Sequence, residues 1–327
     1  MAHASVVVQD MARFGPGAQP ARPLSLAESR AYCHRFTRMH SENFSVLSAL
    51  VPRRCRDDFA VLYAFCRWAD DLSDEFSSPD ESLALLRWWR GELHAAFASD
   101  GPVTHPVFVA LAEAVTRLGL ERDPFDALLA AFEQDQAVSR YVTWNSLLDY
   151  CALSANPVGR LVLRVLGEPC HEEQLAASDA ICTALQLTNH WQDIRRDFQA
   201  RNRIYAPQEI YDGELRIPDF ERRLRETTAQ GFACDGEFLE ESRRLVAVLV
   251  DRTWPFYERG ASLIACAQRE SRPLIGLFAA GGSRTLRKIE LWNFETILHR
   301  PRMLAIEKCW LVACAYARHW GREGRAC

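Results

Sequence analysis

Tyr63-Ala-Phe-Cys-Arg67-Trp-Ala-Asp70-Asp71-Leu-Ser-Asp74 is a stretch that begins aromatic and apolar and ends in acid. It closes a longer run, Arg53 to Asp74, in which Phe59, Leu62, Cys66 and Ala69 recur at the spacing of a helix. On that helix Asp70 and Asp74 share one face, roughly 6 Å apart along the axis. Tyr63 and Arg67 extend the same face backward, one turn each. Three carboxylates crowded into one turn repel one another and weaken the helix, so a chain that keeps them is expected to give them a cation. Hard oxygen donors suit Mg²⁺, which retains several waters and binds substrate phosphates. The competing reading is a solvated acidic helix end. It is weakened by the aromatic, apolar run that the cluster continues. Asp70, Asp71 and Asp74 are the first candidate metal ligands.

About 120 residues on, the pattern returns as Leu185-Gln186-Leu-Thr-Asn189-His-Trp-Gln192-Asp193-Ile-Arg-Arg-Asp197. Gln186, Asn189, Asp193 and Asp197 step by three, four and four, which lines one helix face over three turns. Arg195 and Arg196 fall off that face and balance its charge. Two such faces predict two helices facing each other across a cavity, the way helical bundles build metal sites. The bridging ligand would be a diphosphate with its Mg²⁺ ions. Asn189, Asp193 and Asp197 are the second set of candidate ligands.

The chain around these motifs has helical periodicity nearly throughout. Leu26–Arg38 opens with Ser25 as N-cap and Glu28 at the third helical position, a capping box. Further helices are expected over Glu81–Ala98, Pro106–Leu118 (stopped by Gly119) and Pro124–Val138. Trp144–Gly167 reads as one helix kinked at Pro157, and Gln174–Gln199 as another. A loop spans Arg203–Pro218. Helices then run from an Asp235 N-cap to Cys266, over Pro273–Leu298 and over Pro301–Trp320. Residues 1–24 carry Gly15, Pro16, Gly17, Pro20 and Pro23 without an apolar period, and read as a disordered tail. No alternating strand pattern, hairpin signal, internal repeat or linker is present. Gly281-Gly282, inside a helical stretch, fits close helix packing or a break better than a nucleotide loop.

Composition excludes several classes. The 327 residues are 48% hydrophobic, 25% charged and 10% aromatic, a globular profile. A net charge of -4 gives no basic excess, so a nucleic-acid partner is not expected. The basic residues are almost all arginine, which pairs phosphate bidentately but also follows from a GC-rich genome. Eleven cysteines, an odd number without a Cys-x-x-Cys pair, read as reduced thiols of a cytosolic protein. The first 20 residues lack a signal-peptide core, and no apolar run approaches the ~18 residues of a membrane span.

Taken together, the two motifs resemble those of the squalene/phytoene synthase family of head-to-head prenyl transferases. The first, Asp-x-x-x-Asp preceded by Tyr-Ala-x-Cys-Arg, is matched by Tyr63, Arg67, Asp70 and Asp74. The second, Asn-x-x-x-Asp-x-x-x-Asp, is matched by Asn189, Asp193 and Asp197. Arg203 and Tyr205 match the Arg-x-Tyr that follows, and Tyr150, Cys151 and Gly159 a Tyr-Cys before a glycine-containing turn. Ser41 and Phe44 match an upstream Ser-x-x-Phe that touches diphosphate and prenyl chain. The resemblance covers roughly residues 30–315. It implies an all-α, single-domain isoprenoid synthase bundle around a central cavity, here residues 25–327.

The resemblance also implies roles. Roughly two to three Mg²⁺ ions would neutralise the departing diphosphate, helped by Arg67 and Arg203 and by contacts from Ser41, Asn43, Gln186 and Tyr205. An apolar wall for the allylic cation is expected from Phe44, Phe65, Leu163 and Phe278, each of which is equally readable as ordinary core. Tyr63 and Tyr150 are polar handles, the latter near the reacting carbons, where a phenol stabilises a cation or shuttles a proton.

Two departures from the general pattern, Ser41-Glu42-Asn43-Phe44 and Ser154-Ala155-Asn156-Pro157-Val158-Gly159, are similar to the bacterial hydroxysqualene synthase branch. That branch takes presqualene diphosphate and quenches the cation with water. Asn156 is then a candidate for holding the attacking water, and NADPH is not expected. Glu42, an anion where relatives often carry a cation, suits an enzyme that handles one diphosphate. The alternatives are a condensing enzyme acting on farnesyl or geranylgeranyl diphosphate, or a non-catalytic lipid-binding or assembly relative. A cytoplasmic location with peripheral contact at the inner membrane face is expected for a C30 lipid product.

Overall fold

The computed structural model describes residues 6–18, 22, 24–40, 50–76, 78–98, 103–229, 231, 234–304, 307 and 311. Its helices are α1 (Val6–Phe14), α2 (Leu26–His40), α3 (Arg56–Asp74), α4 (Pro79–Ala98), α5 (Pro106–Leu118), α6 (Asp123–Gln134), α7 (Trp144–Ser154), α8 (Asn156–Leu166), α9 (Glu172–Gln192), α10 (Ile194–Arg201), α11 (Phe220–Ala229), α12 (Gly236–Gly260), α13 (Ser262–Cys266) and α14 (Arg272–Leu291). Among the described residues the one extended pairing is the isolated parallel bridge Arg140–Ile204, so the all-α expectation holds. The chain divides into two compact units: Met1–Ala137 with Pro157–Cys170, and Val138–Asn156 with His171–Cys327.

Local chemistry places most helix ends where the sequence signals them. The Ser25 amide donates to Glu28 Oε2 at 2.9 Å and the Glu28 amide to Ser25 Oγ at 3.3 Å, the reciprocal box that opens α2. Gly119 closes α5 at φ 61°, a left-handed cap that a Cβ would penalise. The Asp235 side chain accepts from the Glu237 and Phe238 amides at the start of α12.

Five expectations are corrected. Within the supposed tail, residues 6–14 form α1. Its Val7 and Phe14 are buried, Asp10 accepts from the Tyr32 hydroxyl at 2.7 Å, and Phe14 meets Tyr32 edge-on. Val7, Met11 and Phe14 stand at i, i+4 and i+7, a helical period that the glycines and prolines following it obscured, and burial of that stripe holds the helix. The single helix read over Trp144–Gly167 is two, α7 and α8, broken at Ala155 (φ -121°) because Pro157 has no N–H to continue the ladder. The helix read over Gln174–Gln199 breaks at Asp193 (φ -109°, ψ 13°). The loop Arg203–Pro218 contains a π-helical turn, Glu209–Glu214. Helix α14 also stops at Leu291, short of the expected Leu298. The helix read over Pro301–Trp320 lies almost wholly outside the described residues.

The first unit packs α2 against α3 and α5, and α3 against α4, α5 and α6. Its centre is aromatic. Trp68 and Trp89 stack at 5.1 Å, and Phe65 packs on Trp89, Phe108 and Phe125. Phe65, a candidate for the cation wall, is therefore core of this unit. His105 accepts from the Val107 amide through Nδ1 at 3.2 Å, which caps α5 and puts the ring proton on Nε2. The ring stands perpendicular to the indoles of Trp68 and Trp89, with centroids 4.6 and 4.8 Å apart.

In the second unit α9 is central, against α12, α14, α7 and α13. Glycines permit that density. A Cβ on Gly260 would run into Ile181, and one on Gly282 into Tyr257 and Leu185. The Gly281-Gly282 pair is thus helix packing, as expected.

Candidate active site

The first acidic motif ends α3 in the first unit, and its geometry is pinned from behind. Gln136 Nε2 donates to Ser73 Oγ at 2.7 Å and to the Ser73 carbonyl at 3.1 Å, and Ser82 Oγ donates to the same carbonyl. The last turn of α3 is therefore fixed where Asp74 leaves it. The three aspartates are not equivalent. The Asp70 side chain is 40% exposed, whereas that of Asp71 is 1% exposed. Arg67 serves both: its Nη1 is 3.0 Å from Asp70 Oδ2 and its Nη2 is 2.5 Å from Asp71 Oδ1. Tyr63, Arg67, Asp70 and Asp74 are half-buried on the face that the sequence predicted, while Asp71 points into the unit. Asp71 thus positions Arg67, and Asp70 and Asp74 remain the accessible oxygen donors.

The second motif crosses a helix break without losing register. The Asp193 amide donates to the Asn189 carbonyl at 3.0 Å, and the Asp197 amide to the Asp193 carbonyl at 2.9 Å. The i to i+4 contacts on either side of the break survive, so Asn189, Asp193 and Asp197 still follow one another along one side. Asn189 is exposed, and Gln186 and Asp197 are half-buried. Burial, reinforced by the Asp193 charge, pushes the Asp197 carboxyl up to about 7.

Behind the motif the bridge Arg140–Ile204 lays residues 203–205 beside 139–141, with the Ile204 amide donating to Ser139 at 3.0 Å. Asn202, left-handed at φ 51°, turns the chain into that segment, and the Arg203 amide returns to the Asp197 carbonyl at 3.2 Å. Tyr150, Tyr205 and Tyr141 meet there, with ring centroids 5.4–5.8 Å apart. Residues far apart in sequence, Tyr150, Arg203 and Tyr205, are so brought beside the second motif. Asn156 Oδ1 accepts from Thr183 Oγ1 at 3.0 Å, which anchors it to α9.

Two residues escaped the sequence reading. His190, inside the motif, is 5% exposed and stacks on Tyr205 at 3.6 Å. Burial and then the Arg203 charge hold its imidazole down to about 3, so it is neutral. Arg300 makes a bidentate pair with Asp193: Nε donates to Oδ1, and Nη2 to Oδ2 at 2.8 Å. The only local signal for it is a basic Arg300-Pro301-Arg302 after an apolar helix, and nothing in the spacing ties it to Asp193. Ser41, Glu42, Asn43 and Phe44 lie outside the described residues.

The donor set fits Mg²⁺ in the way that ion prefers. Among the described residues no three His, Cys, Asp or Glu groups gather into a ready cage. Mg²⁺ usually takes one or two carboxylates with waters and substrate phosphates rather than an all-protein cage. Asp70 and Asp74 on one motif, and Asn189, Asp193 and Asp197 on the other, are hard oxygen donors of that kind. Asp197 is raised by burial first and by the Asp193 charge second, against the pull of Arg201, Arg196 and Arg203.

Comparison with known proteins gives the family. The squalene/phytoene synthase family model matches residues 37–307. A hydroxysqualene synthase of Zymomonas mobilis is 38% identical over 52% of this chain and 56% of its own. A presqualene diphosphate synthase of Rhodopseudomonas palustris is 31% identical over 51% of this chain and 59% of its own. The chain thus spans little more than half the length of these relatives. The crystal structure of squalene synthase HpnC from Alicyclobacillus acidocaldarius superposes with a TM-score of 0.70 at 37% identity, covering 84% of this chain and 97% of that one. A dehydrosqualene synthase in complex with ligand shares the fold at TM-score 0.73 and 21% identity, covering 90% of this chain and 97% of that one. With its family match, its all-α fold and both acidic motifs in place, the chain belongs to the squalene/phytoene synthase family.

Proposed function

We propose that the protein is a Mg²⁺-dependent prenyl-diphosphate enzyme that converts presqualene diphosphate and water to hydroxysqualene and diphosphate. The observation that carries the class is the survival of both motifs with their acids. A non-catalytic lipid-binding relative has no need to keep them. The branch rests on likeness: identity is 38% to hydroxysqualene synthases and 31% to a presqualene diphosphate synthase.

The roles are assigned from the family resemblance, with the geometry in support where the residues are described. When bound, Mg²⁺ supplies positive charge to the leaving diphosphate. Asp70 and Asp74, and Asn189, Asp193 and Asp197, would hold it. Arg67, oriented by Asp71, and Arg203, buried against the second motif, add bidentate contacts to phosphate oxygens. Ser41, Asn43, Phe44, Gln186 and Tyr205 complete the substrate contacts on this reading, with Tyr63 as a polar handle beside Arg67. The Tyr150 phenol, in the aromatic group with Tyr205 and His190, faces developing positive charge with a π surface and an oxygen. Asn156 holds the attacking water. The carbon–oxygen bond to diphosphate breaks, the cyclopropane ring opens as the cation rearranges to the open C30 chain, a carbon–oxygen bond to water forms, and one water proton is lost. No reductant enters this balance, so NADPH is not required. No described helix is long and apolar enough to cross a membrane, and the C30 product calls for peripheral contact.

The test is product analysis by mass spectrometry with Mg²⁺ and presqualene diphosphate, without NADPH, beside a parallel incubation with farnesyl diphosphate. Hydroxysqualene from the first and nothing from the second supports the proposal. A cyclopropyl diphosphate from the second, with the first inert, moves the protein to the condensing branch.

A further inference from the structure

Asp193 sits at the centre of the second motif, yet both of its carboxylate oxygens are taken by one guanidinium. Its side chain is 12% exposed, and a second arginine, Arg196, stands 3.8 Å from Oδ2. The arginine that holds it comes from a segment built to place it. After α14, Asn293 and Phe294 both adopt left-handed backbone, at φ 53° and 60°. For a bulky residue such as phenylalanine that conformation is costly and persists only where the surroundings impose it. The turn sends the chain back, and Thr296, Ile297 and Leu298 are buried on the return.

Residues 300–302 are then clamped from two sides. Gln192 Nε2 donates to the Pro301 carbonyl, and Lys288 Nζ donates to the Arg302 carbonyl at 2.7 Å. One clamp is the residue next to Asp193, and the other is on α14. Arg300 is therefore delivered to Asp193 by its backbone and not by a wandering surface side chain.

We propose that Arg300 is a resident counter-cation for Asp193, which it must surrender when the divalent metal enters, so that metal alone binds weakly and metal with diphosphate binds well. This rests on the metal reading of the second motif. A carboxylate already neutralised by a bidentate guanidinium has little to offer a second cation. An incoming diphosphate changes that, because the displaced guanidinium gains an anionic partner of its own. The pair thus acts as a check on ordering: metal does not fill the motif until the diphosphate arrives.

The experiment uses the full chain and Mn²⁺ as probe, with free ion followed by electron paramagnetic resonance, first without and then with inorganic diphosphate. Wild type, Arg300→Gln, Arg300→Lys and Asp193→Asn are compared, and far-UV circular dichroism checks each fold. Without diphosphate, Arg300→Gln is expected to bind Mn²⁺ roughly tenfold tighter than wild type, the order of a charge-assisted pair expressed as an affinity ratio. Arg300→Lys keeps a charge but not the fork, and falls between them. With diphosphate the gap shrinks. Equal or weaker binding by Arg300→Gln, with Asp193→Asn still weakened, overturns the counter-cation role and leaves the metal reading standing. Unchanged Mn²⁺ binding by Asp193→Asn in the presence of diphosphate overturns both.

Discussion

Replacing Arg67 by glutamine should cost the first unit stability out of proportion to an exposed ion pair. The side chain of Arg67 is 35% exposed, but the Asp71 carboxylate that it serves is 1% exposed, at 2.5 Å. Removing one partner of a buried pair costs about 3–5 kcal/mol, and the partial exposure of Arg67 argues for the lower end, about 3 kcal/mol. The second contact, to Asp70, adds about 0–1 kcal/mol because the Asp70 side chain keeps 40% of its surface in solvent. Asp71→Asn keeps an acceptor for the guanidinium and leaves Arg67 on Asp70, so about 1–2 kcal/mol is expected. In the double variant no charge is buried, and about 2 kcal/mol of the summed losses should return. The assay is urea unfolding of the four proteins at neutral pH, followed by far-UV circular dichroism and compared at a common slope. Additivity within about 0.5 kcal/mol would refute the claim that Asp71 exists to hold Arg67. Turnover separates the roles: Arg67→Gln should lose activity through its phosphate contacts even where the double variant has regained stability.

Three other outcomes are expected. Asp74→Asn and Asp193→Asn should each abolish Mg²⁺-dependent turnover while leaving helix content intact, and wild-type rates in either would remove that residue from the metal site. Burial holds His105 down to about 3 from an ordinary 6.5, so the unfolded chain takes up the proton first as pH falls. Stability from this group is fully present above about 6.5 and declines as pH drops towards 3, by about 1.4 kcal/mol per pH unit. His105→Asn, which keeps an acceptor for the Val107 amide, should flatten that slope in denaturant unfolding measured between about pH 7 and pH 5. Gly282→Ala places a methyl against Tyr257 and Leu185 and should destabilise by about 1–3 kcal/mol in the same assay, and an unchanged midpoint would contradict the close packing of α14.

What the sequence determined by itself is what local chemistry determines. Apolar spacing gave the helices, and Ser25, Glu28, Gly119 and Asp235 gave their ends, because capping and periodicity act within a few residues. The acid faces were legible for the same reason: i and i+4 neighbours touch on any helix. Only the tertiary structure decided the rest. Residues 6–14 carry a short apolar stripe, Val7, Met11 and Phe14, but what buries it and pairs Asp10 with Tyr32 is a long-range contact that its spacing does not name. Asp71 differs from Asp70 because one step of 100° around α3 turns a carboxylate from solvent into the unit, where Arg67 must follow it. The pairing of Asp193 with Arg300 spans a separation that no motif spacing encodes. It depends on the turn at Asn293 and Phe294 and on two clamps from other helices. Sequence names the groups that have chemistry; long-range packing sets which charges face each other, and with that, what each group is free to do.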